Sequence, residues 1–357
     1  MIKKLLKRKN KQELPSRITN STVAEHREKI LAAGRKHKYP LQYTKHRLVW
    51  VTTIASVVVL LAFTLFIYLQ LYVRKDTGDL IYRVTKILPL PVASIDGAKA
   101  SYSDYLMYHR SNMAVLQSRG QDKQQDKVNF YQKQALDKAL EIAYVKKLAK
   151  ENNITVDTNR VIDLIKQQRQ ASKLSEKDYE AVVKDNLHWT ISELSLAMEY
   201  TLLKQEVAFK IDQNAANLVN EIQKRIDTGK SFDEIAKEFE NKIQLARNIT
   251  VSKDNSDGGL TKSATKTEKG KLSSAVKTLA GDGYYFTVLH AIDKDKVTYS
   301  YFKVPLTEFD KRFNDLNSSL ETVRVEILNQ NPNVSNDHTL RTLSAAQVGE
   351  EDFFCHI

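Results

Sequence analysis

The sequence is poor in residues that break or staple a chain. Cys355 is the one cysteine among 357 residues, so no intramolecular disulfide is available and stability has to come from packing. Eleven Gly and six Pro together make up under 5% of the chain, against roughly 12% in an average protein. That scarcity argues against a turn-rich β sandwich and for long helices. Motifs that carry chemistry are also missing. There is no phosphate-binding Walker loop, no His-Glu-x-x-His and no cysteine pair, and the eight His are scattered. Nucleotide, zinc-protease and redox readings therefore lack their residues. Gly258-Gly259 is too little for a phosphate cradle, and no cofactor and no metal are expected.

The formal charge of +12 suggests nucleic acid until it is located. Residues 1–47 hold 14 Lys and Arg against 3 Asp and Glu, so the tail carries +11 and the remaining 310 residues only +1. No aromatic or motif pattern supports nucleic-acid binding in that tail. Its expected partner is the anionic inner leaflet of a membrane, at about 1 kcal/mol per basic residue near the surface. Thr22-Val-Ala-Glu25 reads as a capping box opening a short helix through Lys36.

Directly after the tail the chain turns apolar. Leu48 to Val73 contains 26 residues without a charge, bracketed by Arg47 and Arg74. As a helix it reaches about 39 Å, enough to cross a hydrocarbon core of about 30 Å. Trp50 near one end and Tyr68 and Tyr72 near the other sit where aromatic belts form. The basic tail places the N-terminus in the cytoplasm. No small-x-small cleavage site comes after the run, so the expectation is an uncleaved signal anchor in the cell membrane, single-pass, with the C-terminal bulk outside the cytoplasm.

Beyond the anchor, helix starts are written clearly. Val92-Ala-Ser-Ile-Asp96-Gly97 reads as a strand entering a tight turn, and Ser101 or Ser103 caps the helix after it. Leu136, Leu140, Ala143, Tyr144 and Leu148 recur at helical spacing. Asp157, Ser175, Thr190 and Ser231 each precede an apolar stripe, the last three with an acid three residues on. Gly229 stops the helix carrying Ala216, Val219, Ile222 and Ile226.

The order Val92-Ala-Ser-Ile-Asp-Gly, Ser101-Tyr-Ser-Asp-Tyr105, a long helix ending Leu148-Ala-Lys-Glu-Asn-Asn-Ile-Thr-Val156-Asp, then Leu174-Ser-Glu-Lys-Asp-Tyr and Leu187-His-Trp-Thr-Ile-Ser-Glu-Leu194, resembles the N-terminal chaperone domain of the SurA/PrsA/PpiD group of extracytoplasmic foldases. The resemblance covers roughly residues 92–210, and the single cytoplasm-facing anchor is most like the PpiD arrangement. It implies unfolded or secreted polypeptides as clients. Tyr102, Tyr105, Tyr108 and Trp189 are then the candidate client-facing aromatics.

Residues 215–291 look like a degenerate parvulin prolyl-isomerase domain. Ala215-Ala216 through Gly229-Lys-Ser-Phe232-Asp-Glu-Ile-Ala236 is similar to the parvulin helix and Gly-x-x-Phe pattern. Ser252-Lys-Asp254-Asn-Ser256-Asp-Gly-Gly259 resembles its Ser-x-Asp…Gly-Gly loop. Lys271 to Leu279 matches a later helix, and Gly283-Tyr-Tyr285 to His290 the closing strand. The departures are specific. Val207 to Gln213 lacks the first-strand His, Asn241 to Val251 reads as an insertion, and the family's second His falls on Tyr285. Isomerisation works against a barrier of about 18–20 kcal/mol by stabilising a twisted amide, and the His pair that anchors that site in the family is gone. No catalytic residue is therefore assigned. Tyr285, Ser252 and Asp254 mark the degenerate positions. Val297 to Pro305 alternates like a strand and is the expected replacement for the missing first one.

The expected fold is mainly α with a small α+β part. The expected layout is a basic cytoplasmic tail (1–47), anchor (48–73), linker (74–91), SurA-like helical domain (92–212), degenerate parvulin-like domain (213–305), amphipathic helix (306–330) and flexible tail (331–357). The expected function is a membrane-anchored chaperone that holds unfolded secreted chains. The alternatives are an active peptidyl-prolyl isomerase and a non-catalytic interaction subunit of the secretion or envelope machinery.

Overall fold

The structure, a computed structural model, describes residues 19–319 apart from positions 39, 75, 256 and 279. The first 18 residues of the basic tail, positions 320–330 of the expected C-terminal helix and the expected flexible tail 331–357 lie outside the described residues. The chain divides into two compact units after Asp76.

The first unit is helical, with α1 (Asn20–Lys38), α2 (Pro40–Tyr68) and a π-helical turn (Leu69–Val73). The cap of α1 lies three residues before the expected one. Thr19 and Thr22 bond reciprocally, the amide of each donating to the other's hydroxyl at 2.9 and 3.4 Å. Glu25 pairs instead with Lys29 at 2.9 Å, one turn on. Arg47–Val73 is long and apolar enough to cross a membrane, and only 11% of it is covered by protein. A core helix would be mostly covered. Two of its hydroxyls are satisfied within the helix, Thr52 and Thr64 donating to the carbonyls of Leu48 and Leu60 at 2.9 Å.

The second unit begins with α3 (Asp79–Ile87), which occupies the stretch that reads in sequence as a linker. Its Ile81, Tyr82 and Thr85 are buried. Next is a hairpin, β1 (Pro91–Ile95) and β2 (Ala98–Ser101), closed by Asp96 at φ 47° and Gly97 at φ 76°. Positive φ at both central positions is what a two-residue hairpin turn of this twist requires. Then come α4 (Tyr102–Ser118), α5 (Gln125–Glu151), α6 (Thr158–Ala171), α7 (Glu176–Leu187) and α8 (Ile191–Ile211). The caps are those read from sequence. Ser101, Asp157, Ser175 and Thr190 each accept an amide hydrogen bond, with a full capping box at Thr190 and Glu193. Helix α5 is the central element and packs against α4, α8 and the hairpin. Its Leu136, Ala139 and Leu140 are at most 2% exposed, so truncating either Leu to Ala costs about 2–5 kcal/mol.

The remaining elements are α9 (Gln213–Asp227), α10 (Phe232–Glu238), β3 (Gln244–Ser252), α11 (Leu260–Lys266), β4 (Val276–Lys277), β5 (Gly283–Asp293), β6 (Lys296–Pro305) and α12 (Glu308–Ser319). The strands form one antiparallel sheet in the order β3-β6-β5-β4. Ser231 and Glu234 make a second capping box at the head of α10. Three expectations are corrected here. Residues 271–278, the described part of the expected later helix, are not helical: Leu272 bridges to Val288, Val276 and Lys277 form β4, and the Ser273 amide donates to the Thr287 carbonyl at 2.8 Å. The apparent insertion supplies edge strand β3. The segment Val207 to Gln213, where a first strand is missing its His, is mostly the last turn of α8. The strand read at Val297–Pro305 is interior, paired with β3 on one side and β5 on the other.

Strand alternation gives the sheet two packed faces. Phe286, Phe302 and Val304 meet Ile222, Ile235 and Phe239 on one side. Tyr285, Leu289, Val297 and Tyr299 meet Leu260 and Ala264 on the other. Helix α12 then returns to the helical part, where Phe309 and Phe313 lie 5.8 and 6.2 Å from the Tyr144 ring. Buried Asp212 ties the two parts together. One carboxylate oxygen accepts from the Ala215 amide at 2.9 Å, and the other from the amides of Thr307 and Glu308 at 2.8 and 3.1 Å. A single side chain thus satisfies the N-termini of α9 and α12.

Candidate functional site

The aromatic residues expected to face a client lie in the interior. Tyr102, Tyr105 and Trp189 are buried, and Tyr108 is half-buried. Trp189 donates its indole N–H to the Met107 carbonyl at 3.2 Å and meets the Tyr108 ring edge-on at 5.4 Å. Tyr102 and Tyr105 pack edge-on at 5.7 Å, and Tyr105 lies 5.4 Å from the His109 ring. Burial pushes the Tyr105 hydroxyl up to about 12. In this conformation Tyr102, Tyr105 and Trp189 pack inside the helical part, and Tyr108 alone of the four keeps part of its surface open.

The three positions of the resembled isomerase site are not brought together. Tyr285 lies opposite Lys303 on β6, whereas Ser252 lies opposite Lys296. Seven residues of one strand separate those partners, roughly 20 Å. Ser252 and Asp254 are exposed and close their own turn, the Asp254 amide donating to the Ser252 hydroxyl at 3.4 Å. Tyr285 donates to both carboxylate oxygens of Asp282, at 2.9 and 3.1 Å, and Lys303 pairs with the same carboxylate. Burial and then the Asp282 carboxylate raise the Tyr285 hydroxyl well above its ordinary value. His290 bonds Ser300 at 2.7 Å. The arrangement ties the Tyr285 phenol to the Asp282 carboxylate and leaves it apart from Ser252 and Asp254.

An apolar surface opens instead between α6 and the start of α8. Ile162, Ile165 and Ile191, with Ser192 and Ser195, line a groove of about 340 Å³. The geometry comes from the two helices. Val161 turns into the core at 1% exposure, which leaves Ile162, a further 100° around α6, on the outside at 54%. On the other flank of α6 lies a polar hollow of about 350 Å³, lined by Asp157, Asn159, Arg160, Asp163, Leu164 and Gln167. The apolar character is thus confined to one side of the helix. Tyr179 of α7 donates to Gln168 at 3.0 Å and fixes α6 from the side.

The α8 wall of the groove is held from below. Glu193, between groove residues Ser192 and Ser195, accepts from Tyr82 at 2.5 Å, from Lys86 at 2.7 Å and from the Thr190 amide at 2.8 Å. Burial alone would raise its carboxyl. The hydrogen bonds of Lys86, Tyr82 and Thr190, with the Lys86 charge, hold it down at about 2. The groove therefore has one wall anchored by a charged network and one wall that is a single amphipathic helix. Sequence reading assigns Val161, Leu164 and Ile165 to a core stripe and misses the site. The one local signal is Ile162, an apolar residue beyond the width of that stripe.

Residues 41–208 match the family model described as the SurA-like N-terminal domain. That stretch reaches from within α2 into α8 and includes the groove, the aromatic seam and the Glu193 network. Neither the curated proteins nor the solved structures contain a match to the chain. Residues 41–208 are thus similar to a SurA-like N-terminal domain, and strands β3 to β6 lie outside the matched stretch.

Proposed function

We propose that this protein is a single-pass, membrane-anchored chaperone that holds unfolded secreted polypeptides outside the cytoplasm. The observation that carries the reading is the solvent-open apolar groove of Ile162, Ile165 and Ile191 inside the SurA-like region. A groove of this size accepts one or two apolar side chains of an extended client and makes few directional bonds, so it discriminates little between sequences. The +11 tail favours an anchor with its N-terminus in the cytoplasm, and the groove then lies on the side where secreted chains emerge. The test uses the full chain in lipid nanodiscs and a chemically unfolded client whose aggregation is followed by light scattering. The expected result is a delay at stoichiometric amounts that Ile162→Asp abolishes, with the helical circular dichroism unchanged. A delay equal in wild type and variant would remove the groove from the mechanism, and no delay in either would overturn the chaperone reading.

The sheet part is, on the same reading, a parvulin-like domain without isomerase activity. The support is chemical: Tyr285 is committed to Asp282, and the other two positions lie at the far end of the sheet. In a protease-coupled assay on a proline-containing peptide, the full chain is expected to leave the spontaneous isomerisation rate unchanged. Catalysis lost on Tyr285→Phe would overturn this.

A further inference from the structure

Helix α3 has a second apolar face, which the described residues leave largely open. At 100° per residue, Leu80, Val84 and Ile87 fall within about 60° of one another, on a side distinct from the buried Ile81, Tyr82 and Thr85. Leu80 is 64% exposed and Ile87 81%, and Leu88, immediately after the helix, is 40% exposed. Ile87 is the most exposed large apolar side chain among the described residues. In the second unit the exposed large apolar residues are Leu80, Ile87, Leu88, Phe130, Ile162, Leu245 and Ile292. Three of these seven therefore fall within nine consecutive positions. Arg83 flanks this face, exposed and without an ion pair or hydrogen bond among the described residues.

Position in the chain identifies the occupant. The candidate membrane helix ends at Val73 and α3 begins at Asp79, so five residues link them and α3 starts within about 20 Å of the point where the chain leaves the bilayer. A short helix with one clustered apolar face and a flanking arginine, tethered at that distance, meets lipid before it meets any other apolar surface. Such helices lie in the interface plane with the apolar face ~5–10 Å into the headgroup and acyl boundary. We infer that the outer face of α3, Leu80, Val84 and Ile87 with Leu88, rests in the outer leaflet of the membrane, and that Arg83 meets lipid phosphate. The inference rests on the anchored reading above. Its consequence is orientation: α3 is bonded through Tyr82 and Lys86 to Glu193 beside the groove, so seating α3 on lipid sets the direction in which the groove faces.

The experiment uses the full chain in proteoliposomes, with Cys355→Ser and single cysteines placed by Val58→Cys, Leu80→Cys, Ile87→Cys and Ile292→Cys. Each carries an environment-sensitive fluorophore and is quenched by lipids brominated along the acyl chain. Quenching at 80 and 87 is expected to reach about half that at position 58, as suits a helix at the acyl boundary, with none at 292. Quenching at 80 and 87 no greater than at 292 overturns the inference. If position 58 is quenched in that case, the anchored reading survives. If it is not, the anchored reading falls as well. Fluorophores at 80 and 87 that are shielded from water yet untouched by brominated lipid would mean that a protein surface covers α3, which also overturns it.

Discussion

The helical and sheet parts of the second unit are stabilised in different ways. The helical part buries charge: Asp104 accepts from Tyr200 at 3.1 Å and Lys146 at 3.2 Å, and Glu193 is held by Tyr82, Lys86 and the Thr190 amide. The sheet part buries rings and aliphatics on both faces and keeps its carboxylates nearer the rim, as at Asp282 and Asp257. A sheet packed on both faces has little apolar surface left to offer a client. A helical layer fixed from beneath by buried carboxylates with charged partners at their rim can leave one apolar wall open, as α6 and α8 do. The contrast places the open apolar surface in the helical part and leaves the sheet part as a layer closed by packing on both faces.

The largest expected effect breaks the helical part at its charged node. Glu193→Ala removes the acceptor of Tyr82, Lys86 and the Thr190 amide together, and leaves a buried phenol and a partly buried ammonium without it. The lost cap at Thr190 costs about 1 kcal/mol and the orphaned Tyr82 hydroxyl about 1–3 kcal/mol. The half-exposed Lys86 ammonium returns to water, so a loss of roughly 2–4 kcal/mol is expected. The midpoint of urea unfolding reads it, and a loss below about 1 kcal/mol would mean that packing rather than the network holds α3 to α8. Next comes the junction between the parts. Asp212→Ala orphans three amides at two helix starts, at about 1 kcal/mol per cap, so a loss of roughly 2–3 kcal/mol is expected. If the junction is what couples the parts, the variant also splits a single unfolding transition into two.

These nodes mark how far the sequence could be read. Caps were legible because capping is a bond from residue i to residue i+2 or i+3, so Asp157, Ser175, Thr190 and Ser231 announce their helices locally. The stretch 271–278 was not, because what makes it extended is pairing with Val288 and Thr287 across the sheet. Helix α3 escaped notice because its buried stripe is only Ile81, Tyr82 and Thr85, two of them polar-tipped. For Trp189 and Tyr105 the sequence left packing and client contact both open, because burial depends on partners distant in sequence, such as the Met107 carbonyl 82 residues before the Trp189 indole. The groove was illegible for the converse reason: Ile162 is exposed because its neighbour Val161 is the residue turned into the core.

The smallest expected effect separates the two parts by pH. His109 is 4% exposed, lies against Tyr105, and neither ring nitrogen has a hydrogen-bond partner. Burial lowers its pKa from the ordinary 6.5 to about 4, so the fold accepts only the neutral ring. The unfolded chain takes up a proton first as the solution is acidified. His109's contribution is therefore intact above pH 6.5 and is lost as pH falls from there toward about 4. Glu193 titrates in a lower window, its stabilisation draining as pH falls from 4.5 toward about 2. Both groups sit in the helical part, so mild acid should loosen that part first. His109→Leu removes two unsatisfied nitrogens from the core and is expected to raise stability by about 1 kcal/mol at pH 7, and by more at pH 5, flattening the slope between pH 6.5 and 4. Urea midpoints at those pH values read the effect. An unchanged slope in the variant would place the acid-sensitive group elsewhere and remove the pH contrast between the helical and sheet parts.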